Sequence, residues 1–308
     1  MSFIANNLIS EIEANGAQVS FISSLHCNME CPICIINAGS KMSKDKKIPI
    51  GDMYYYANQP NVFKILLSGG EVSAQGLDYF RDAAFTCVKG CNKLSIKTNA
   101  KWTEFENAAD YADVIYQISK KYNDYEFLGG SESLNFGIDI SVGASHENAV
   151  NYAFECLNLL PDKKSKCFKY NIHFVADSHN EACSFQSKAV SYGLTVSKRG
   201  YFNFPLHNIY GKITVLEKII KKGRACKNNV GEMPAPLNFK TEHDVVKHIK
   251  DIGRGHIDLH FFPNGFVYFE DCEGRFLACT RYKENNVLLD IKQLVFKLAD
   301  NLYARHLK

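Results

Sequence analysis

The sequence predicts an α/β fold built on a parallel sheet or barrel. Two observations carry that expectation: short apolar runs alternate with longer amphipathic stretches, and a helix-length segment separates most successive runs. A third is composition, since 308 residues with 46% apolar, 12% aromatic and 22% charged side chains can bury a full core.

The opening Phe3, Ile4, Leu8, Ile9 and Ile12 recur at helical spacing, and Asn15-Gly16 ends that helix. Candidate strands follow at Gln18 to Ser23, Phe63 to Ser68, Lys93 to Thr98, Asp113 to Ser119, Phe136 to Val142, Phe168 to Val175 and Leu194 to Tyr201. Helices are expected over Ala74 to Val88, Glu147 to Leu160 and Asn180 to Tyr192. In such a fold the βα loops at the carboxyl ends of the strands collect the active groups. From Lys227 to Asn238 two prolines, a glycine and several asparagines mark a linker. Beyond it, His256 to Phe262 and Phe266 to Phe269 flank Pro263-Asn264-Gly265 as a hairpin, and Asp290 to Ala304 reads as a closing helix. These features divide the chain into a βα domain over residues 1–225 and a small α+β extension over 226–308.

Charge and hydropathy narrow the function classes. With 36 Lys plus Arg against 33 Asp plus Glu, the net charge of +3 is too small for a general nucleic-acid binder. No run approaches the ~18 apolar residues of a membrane helix, and no signal-like segment opens the chain, so a cytoplasmic location is expected. Lysine-rich runs at Lys41 to Lys47, Lys163 to Lys169 and Lys218 to Lys222 read as solvated faces.

Of 11 cysteines, Cys27, Cys31 and Cys34 fall within one short segment directly after the first candidate strand. The other eight are scattered, as expected of small core hydrophobes. Three thiolates on one loop suit a soft metal centre, and thiolates select iron-sulfur clusters, zinc or copper. A structural zinc site closes with four ligands, commonly from two knuckles, whereas no fourth cysteine adjoins these three, so a centre with one open position is expected.

The Cys27-x-x-x-Cys31-x-x-Cys34 spacing, with Asn28 after the first cysteine, resembles the radical S-adenosylmethionine (SAM) superfamily. The resemblance implies a partial (βα)6 TIM-like barrel in which the three cysteines hold a 4Fe-4S cluster whose open iron chelates SAM. It also implies cleavage of SAM to a 5′-deoxyadenosyl radical, which takes a hydrogen atom from substrate, and an external one-electron donor of flavodoxin or ferredoxin type. Ile33 stands where the family usually has an aromatic residue and would pack on adenine. Ser68-Gly69-Gly70-Glu71 at the end of the second strand looks like the motif that binds the SAM ammonium, and paired glycines let a backbone approach a ligand. Thr98-Asn99-Ala100 is similar to the family's third-strand end, with Ala100 replacing a glycine; on its own it would read as a helix cap. Ser141 is the candidate SAM-contacting serine with Ser119 its rival, and Gly223-Arg224-Ala225 resembles the family's Gly-Arg-Ala segment, giving Arg224 a cofactor role. On this count Asp113 to Ser119 is an insertion and Leu194 to Tyr201 the sixth strand.

The carboxy-terminal hairpin looks like a SPASM or twitch extension, which in that family binds auxiliary clusters. Its ligands do not transfer: His256 and Glu270 occupy the expected cysteine positions, and Cys272 and Cys279 lie out of register. The expectation is a degenerate extension without metal, with a His256, Cys272, Cys279 cluster as the alternative. The extension implies a peptide substrate first and a sugar, cyclitol or nucleotide second. The rival from another class is a non-enzymatic zinc or iron-sulfur protein. His26, beside Cys27, is expected to hydrogen-bond around the centre without ligating it.

Overall fold

A computed structural model describes residues 3–31, 34, 36–90, 93–127, 135–143, 149–160, 168–176, 178–191, 193–196, 201–204, 209–215, 237–252, 257–271 and 275–307. Helix α1 (Phe3–Asn15) leads into β1 (Ala17–Ile22); α2 (Ile50–Ala57), β2 (Val62–Ser68), α3 (Leu77–Gly90), β3 (Lys93–Thr98) and α4 (Ala108–Phe127) follow. Next come β4 (Asn135–Gly143), α5 (Ala149–Leu159), β5 (Phe168–Ala176), α6 (His179–Ser191), β6 (Thr195–Val196), β7 (Tyr201–Phe204) and β8 (Ile209–Val215). The chain continues through α7 (Glu242–Ile252), β9 (Ile257–Phe261), β10 (Phe266–Glu270), β11 (Phe276–Arg281), the short pair β12 (Lys283–Glu284) and β13 (Val287–Leu288), and α8 (Ile291–His306).

Among the described residues, 11 strands form one open sheet, ordered β11-β10-β9-β1-β2-β3-β4-β5-β8-β7-β6, and β12 pairs with β13 apart from it. Every neighbouring pair from β9 through β8 is parallel, and an antiparallel flap closes each edge. The expected α/β class and partial parallel barrel are what the chain adopts, and the barrel does not close.

Register puts apolar residues on one face across the sheet: Val19 opposite Ile65, Ile65 opposite Leu94, Ile96 opposite Ile138, and Ile140 opposite Ile172. Helices cover that face. Tyr56 of α2 meets Phe261 at 4.3 Å between ring centroids, Tyr122 of α4 meets Phe136 at 5.7 Å, and Phe185 of α6 stacks on Phe174 at 4.1 Å. The opposite face is polar at its centre: Ser95 Oγ donates to Asp139, and Asn171 Nδ2 donates to Asp139 Oδ1 at 2.8 Å. A closed barrel would fill this interior with branched apolar side chains.

Two expected elements are corrected. Asp113 to Ser119 lies inside α4, because Tyr111, Ile115, Ile118 and Tyr122 are buried at helical spacing against the sheet. Ser119 is therefore no strand-end serine, and its Oγ donates to Tyr116 O at 2.8 Å. Leu194 to Tyr201 is not the sixth parallel strand; Thr195–Val196 pairs antiparallel with β7, and β8 takes the place beside β5. The expected third helix also starts later than Ala74, at Leu77, after a 3-10 turn over Ser73–Gln75. The linker from Lys227 to Asn238 falls mostly outside the described residues.

The carboxy-terminal hairpin forms as expected and joins the main sheet, β9 running parallel to β1 with Val19 opposite Leu259. Helix α8 starts in a capping box: Asp290 Oδ1 accepts Gln293 N–H at 2.8 Å and Gln293 Oε1 accepts Asp290 N–H at 2.9 Å. Tyr56 ties this part to α2, its hydroxyl donating to Leu289 O at 2.8 Å and Tyr282 O at 3.0 Å. Asp271 lies buried between Arg275 Nε at 2.7 Å and His248 Nε2 at 3.1 Å. Among the described residues, no helix is long and apolar enough to cross a membrane.

Tyr56→Phe removes a donor from two buried carbonyls and is expected to cost about 1–2 kcal/mol in urea unfolding. Burial pushes the Asp271 carboxyl up, but hydrogen bonds from Arg275 and His248 outweigh it and hold the group below the usual range. Its folded pKa is thus the lower one, so it contributes stability above the unfolded value of about 3.9, lost as pH falls through the folded value. Asp271→Asn should be less stable at pH 7 and show a shallower acid decline; an unchanged acid slope would contradict this.

Candidate active site at the strand ends

The carboxyl ends of β1, β2 and β3 meet around one buried carboxylate. Glu71, 1% exposed, follows the two glycines after β2. Its Oε1 accepts Ser73 N–H at 3.2 Å, Ser73 Oγ–H at 2.7 Å and Thr98 Oγ1–H at 2.9 Å; its Oε2 accepts Asn99 N–H at 2.7 Å. Burial pushes the Glu71 carboxyl above its ordinary range, against the pull of these four donors. A carboxylate has about four acceptor sites, two on each oxygen, so Oε2 is the atom with capacity left.

The glycine corner docks on the cysteine loop. Gly70 N–H donates to Ser24 O at 2.7 Å, and Glu71 N–H donates to His26 O at 3.1 Å. A side chain at Gly70 would put Cβ 2.1 Å from His26 O, and Gly69 has a φ of 144°, which favours glycine. The close approach these glycines permit is to the backbone of the cysteine loop. Ser68 closes β2, its carbonyl accepting Ser23 N–H at 2.8 Å.

The loop is braced from within and from α3. Glu30 Oε1 accepts Ser40 N–H at 2.6 Å and Ser40 Oγ–H at 2.7 Å, and Cys27 N–H donates to Gly39 O at 3.1 Å. Tyr79 Oη donates to Ile48 O at 2.9 Å, and the Lys47 ammonium lies 4.7 Å from the Tyr79 ring centroid. His26 meets Met42 O through Nδ1 at 2.9 Å.

Cys27 is buried, while Cys31 and Cys34 are half-buried. Burial first, then the Glu71 charge, pushes the Cys27 thiol up to about 12, with smaller contributions from Cys31 and Cys34. Cys34 Sγ accepts Ala38 N–H at 3.2 Å, and Asn99 Nδ2 reaches Cys27 Sγ at 3.7 Å and Asn28 Oδ1 at 2.8 Å. Asn28 Nδ2 is buried without a hydrogen-bond partner among the described residues. Among the described residues no three His, Cys, Asp or Glu side chains form a ready-made metal set, so ligation requires the loop's thiols to turn together. The donor chemistry fits a sulfur-rich anionic centre: three soft ligands on one loop, with amide donors at their sulfurs and an unpartnered amide beside them.

The structure thus gathers Cys27, Ser68, Gly69, Gly70, Glu71 and Asn99 at one corner, with Cys31 and Cys34 on the same loop. Ser141 lies on β4 with His173 as its cross-strand partner, and its side chain is outside the described residues, as are Ile33 and Arg224 altogether. In the extension, Glu270 is held by His260 at 2.8 Å and Cys279 lies opposite Tyr268, while His256 and Cys272 fall outside the described residues. Sequence reasoning missed Glu30, Ala38 and Tyr79, whose contacts span 10 residues from Glu30 to Ser40 and 31 from Tyr79 to Ile48, without a local pattern to announce them.

No protein-family profile matches the chain, and no curated protein matches it in sequence. Solved structures do. Native anSMEcpe with bound AdoMet is similar over 94% of this chain and 82% of its own, with 13% identity and a TM-score of 0.51. Streptococcus suis SuiB bound to S-adenosylmethionine aligns over 85% of this chain at 11% identity and a TM-score of 0.36. The chain spans 63% of that protein, less than two thirds of its length. SuiB bound to the precursor peptide SuiA aligns over 97% of this chain and 69% of its own, with 10% identity and a TM-score of 0.40. The anSMEcpe likeness is one of fold.

Gly70→Ala is expected to drive the cysteine loop off the glycine corner and cost about 3 kcal/mol in denaturant unfolding, because the obstructing atom is backbone. A change below about 0.5 kcal/mol would show that the loop docks elsewhere.

Proposed function

We propose that this chain is a radical SAM enzyme. The observation that carries the reading is the locking of the Gly69-Gly70-Glu71 corner onto the Cys27 loop at the carboxyl ends of adjacent parallel strands. A zinc module has no need of that corner. Cys27, Cys31 and Cys34 are the ligands of a 4Fe-4S cluster. When bound, such a cluster supplies one electron for reductive cleavage of SAM to a 5′-deoxyadenosyl radical that takes a hydrogen atom from substrate.

The chain's own residues hold and shield the reactants. Glu71 Oε2 is the acceptor for the SAM ammonium, Gly69 and Gly70 present backbone beside it, and Ser68 and Asn99 flank the same corner. Ile33 packs on adenine, while Ser141 and Arg224 complete the SAM contacts. Residues 1–225 form the SAM-binding barrel and 226–308 the extension. The polar sheet face around Asp139 supplies hydrogen-bonding groups for a substrate, whose class, from the SPASM-like hairpin, is a peptide. The electron comes from a flavodoxin- or ferredoxin-type partner. The extension carries no second cluster: Glu270, a poor ligand for soft iron, is engaged by His260.

Iron and sulfide counting on anaerobically reconstituted protein tests the reading. About four irons are expected, and essentially none after Cys27, Cys31 and Cys34 are all changed to Ala. Iron retained by that triple variant would contradict the assignment. Glu71→Gln, checked for folding by thermal unfolding, should weaken SAM binding roughly tenfold or more in equilibrium dialysis. Unchanged affinity in the folded variant would leave Glu71 only its strand-tying role.

A further inference from the structure

We infer that Asn99 is a positioning residue whose carboxamide donates to the Cys27 sulfur and makes the cysteine-bound centre easier to reduce. The inference rests on the reading that the loop holds an iron-sulfur cluster.

Both ends of Asn99 are pinned by groups that have nothing to do with the sulfur. Its main-chain N–H donates to Glu71 Oε2 at 2.7 Å, and its Oδ1 accepts Lys101 N–H at 2.9 Å in an Asx turn that caps this N–H, the N-cap position of the 3-10 turn over Lys101–Glu104 being Ala100. With Oδ1 committed to that cap, Nδ2 has to face the other way. There it meets Asn28 Oδ1 at 2.8 Å and Cys27 Sγ at 3.7 Å. The amide orientation is therefore set by the network, since a flipped carboxamide would turn its NH2 toward the Lys101 N–H and its oxygen toward Asn28 Oδ1.

The backbone reinforces this. Ala100 has a φ of 62°, a left-handed conformation that costs energy for a residue with a Cβ, and the chain accepts it immediately after Asn99. Capping alone does not require an amide: Ser, Thr or Asp would accept the Lys101 N–H as well. What distinguishes Asn at this position is the second, donating end.

That donor is one of a group. Ala38 N–H donates to Cys34 Sγ at 3.2 Å, and the buried Nδ2 of Asn28 has no partner among the described residues. One sulfur of the loop has a backbone donor, another has the Asn99 amide, and a third amide stands unpartnered beside them. Reduction adds negative charge to the cluster and its thiolates, and N–H donors at the sulfurs stabilise that charge more than they stabilise the oxidised form. Removing such a donor lowers the reduction potential.

The test is an EPR-monitored redox titration of the reconstituted protein, with iron counted in every sample. Asn99→Ser keeps a neutral cap for Lys101 N–H and removes the amide donor; Asn99→Asp keeps the cap and replaces the donor with a negative charge. With full iron in both, the midpoint potential is expected to move negative in Asn99→Ser and further negative in Asn99→Asp. If Asn99→Ser loses iron, Asn99→Thr serves in its place, keeping an acceptor for Lys101 N–H without the amide donor; it should shift the potential in the same direction. An unchanged potential in an iron-replete variant would overturn the inference and leave Asn99 as a cap. Absence of iron from the unsubstituted protein would instead overturn the underlying cluster assignment.

Discussion

The buried Glu71 carboxylate is the interaction on which this corner of the molecule depends. Four donors from the turn after β2 and the end of β3 converge on it, while its own backbone N–H holds the carbonyl of His26. A charge taken out of water is costly unless hydrogen bonds offset it, and here four donors are drawn from separate elements. The result is that the end of β3 and the cysteine loop after β1 are both referenced to one group after β2. A shift of the end of β3 would strip donors from the buried carboxylate, and a shift of the cysteine loop would unpair the Glu71 N–H and the His26 carbonyl.

The sheet has one apolar and one polar face. Apolar residues paired across the strands seat the helices on one face, leaving the other to Ser95, Asp139 and Asn171. Polar side chains wired to one another do not fill a barrel as branched apolar ones do, and under the proposed function this is the face that a polar ligand would meet. The antiparallel flap of β9 and β10 adds His260 and Glu270 beside β1, extending the wall from the carboxy-terminal part of the chain. The fold and the ligand chemistry follow from the same alternation along the strands.

Much of this was legible in the residues. The first three strands and the hairpin stood out because their apolar runs are bounded by Gly16, Gly69 and Gly265, each of which adopts a positive φ. Asp113 to Ser119 misled because Val114, Ile115 and Ile118 satisfy a short strand as well as one face of a helix, and only packing of the whole 20-residue α4 decides. The sixth parallel strand was hidden by Gly211 in the middle of β8, which breaks the apolar pattern. At the site, the glycines were legible but their partner was not: space at Gly70 is demanded by His26, 44 positions earlier. Thr98-Asn99 reads locally as a helix cap, but the N-cap position of the 3-10 turn is Ala100, without a side-chain cap bond, and Thr98 Oγ1 instead accepts Ala100 N–H at 3.0 Å in a local turn. Its other contacts, to Glu71 and Cys27, are long-range and leave no local signature.

Under the proposed function, this braced loop presents a cluster with one iron open to SAM. Adding SAM to the anaerobically reduced, reconstituted protein and recording the EPR spectrum tests it most directly. A changed cluster signal on addition of SAM, abolished by Cys27→Ala, is the predicted result. A signal indifferent to SAM, or one that survives loss of Cys27 unchanged, would contradict the claim.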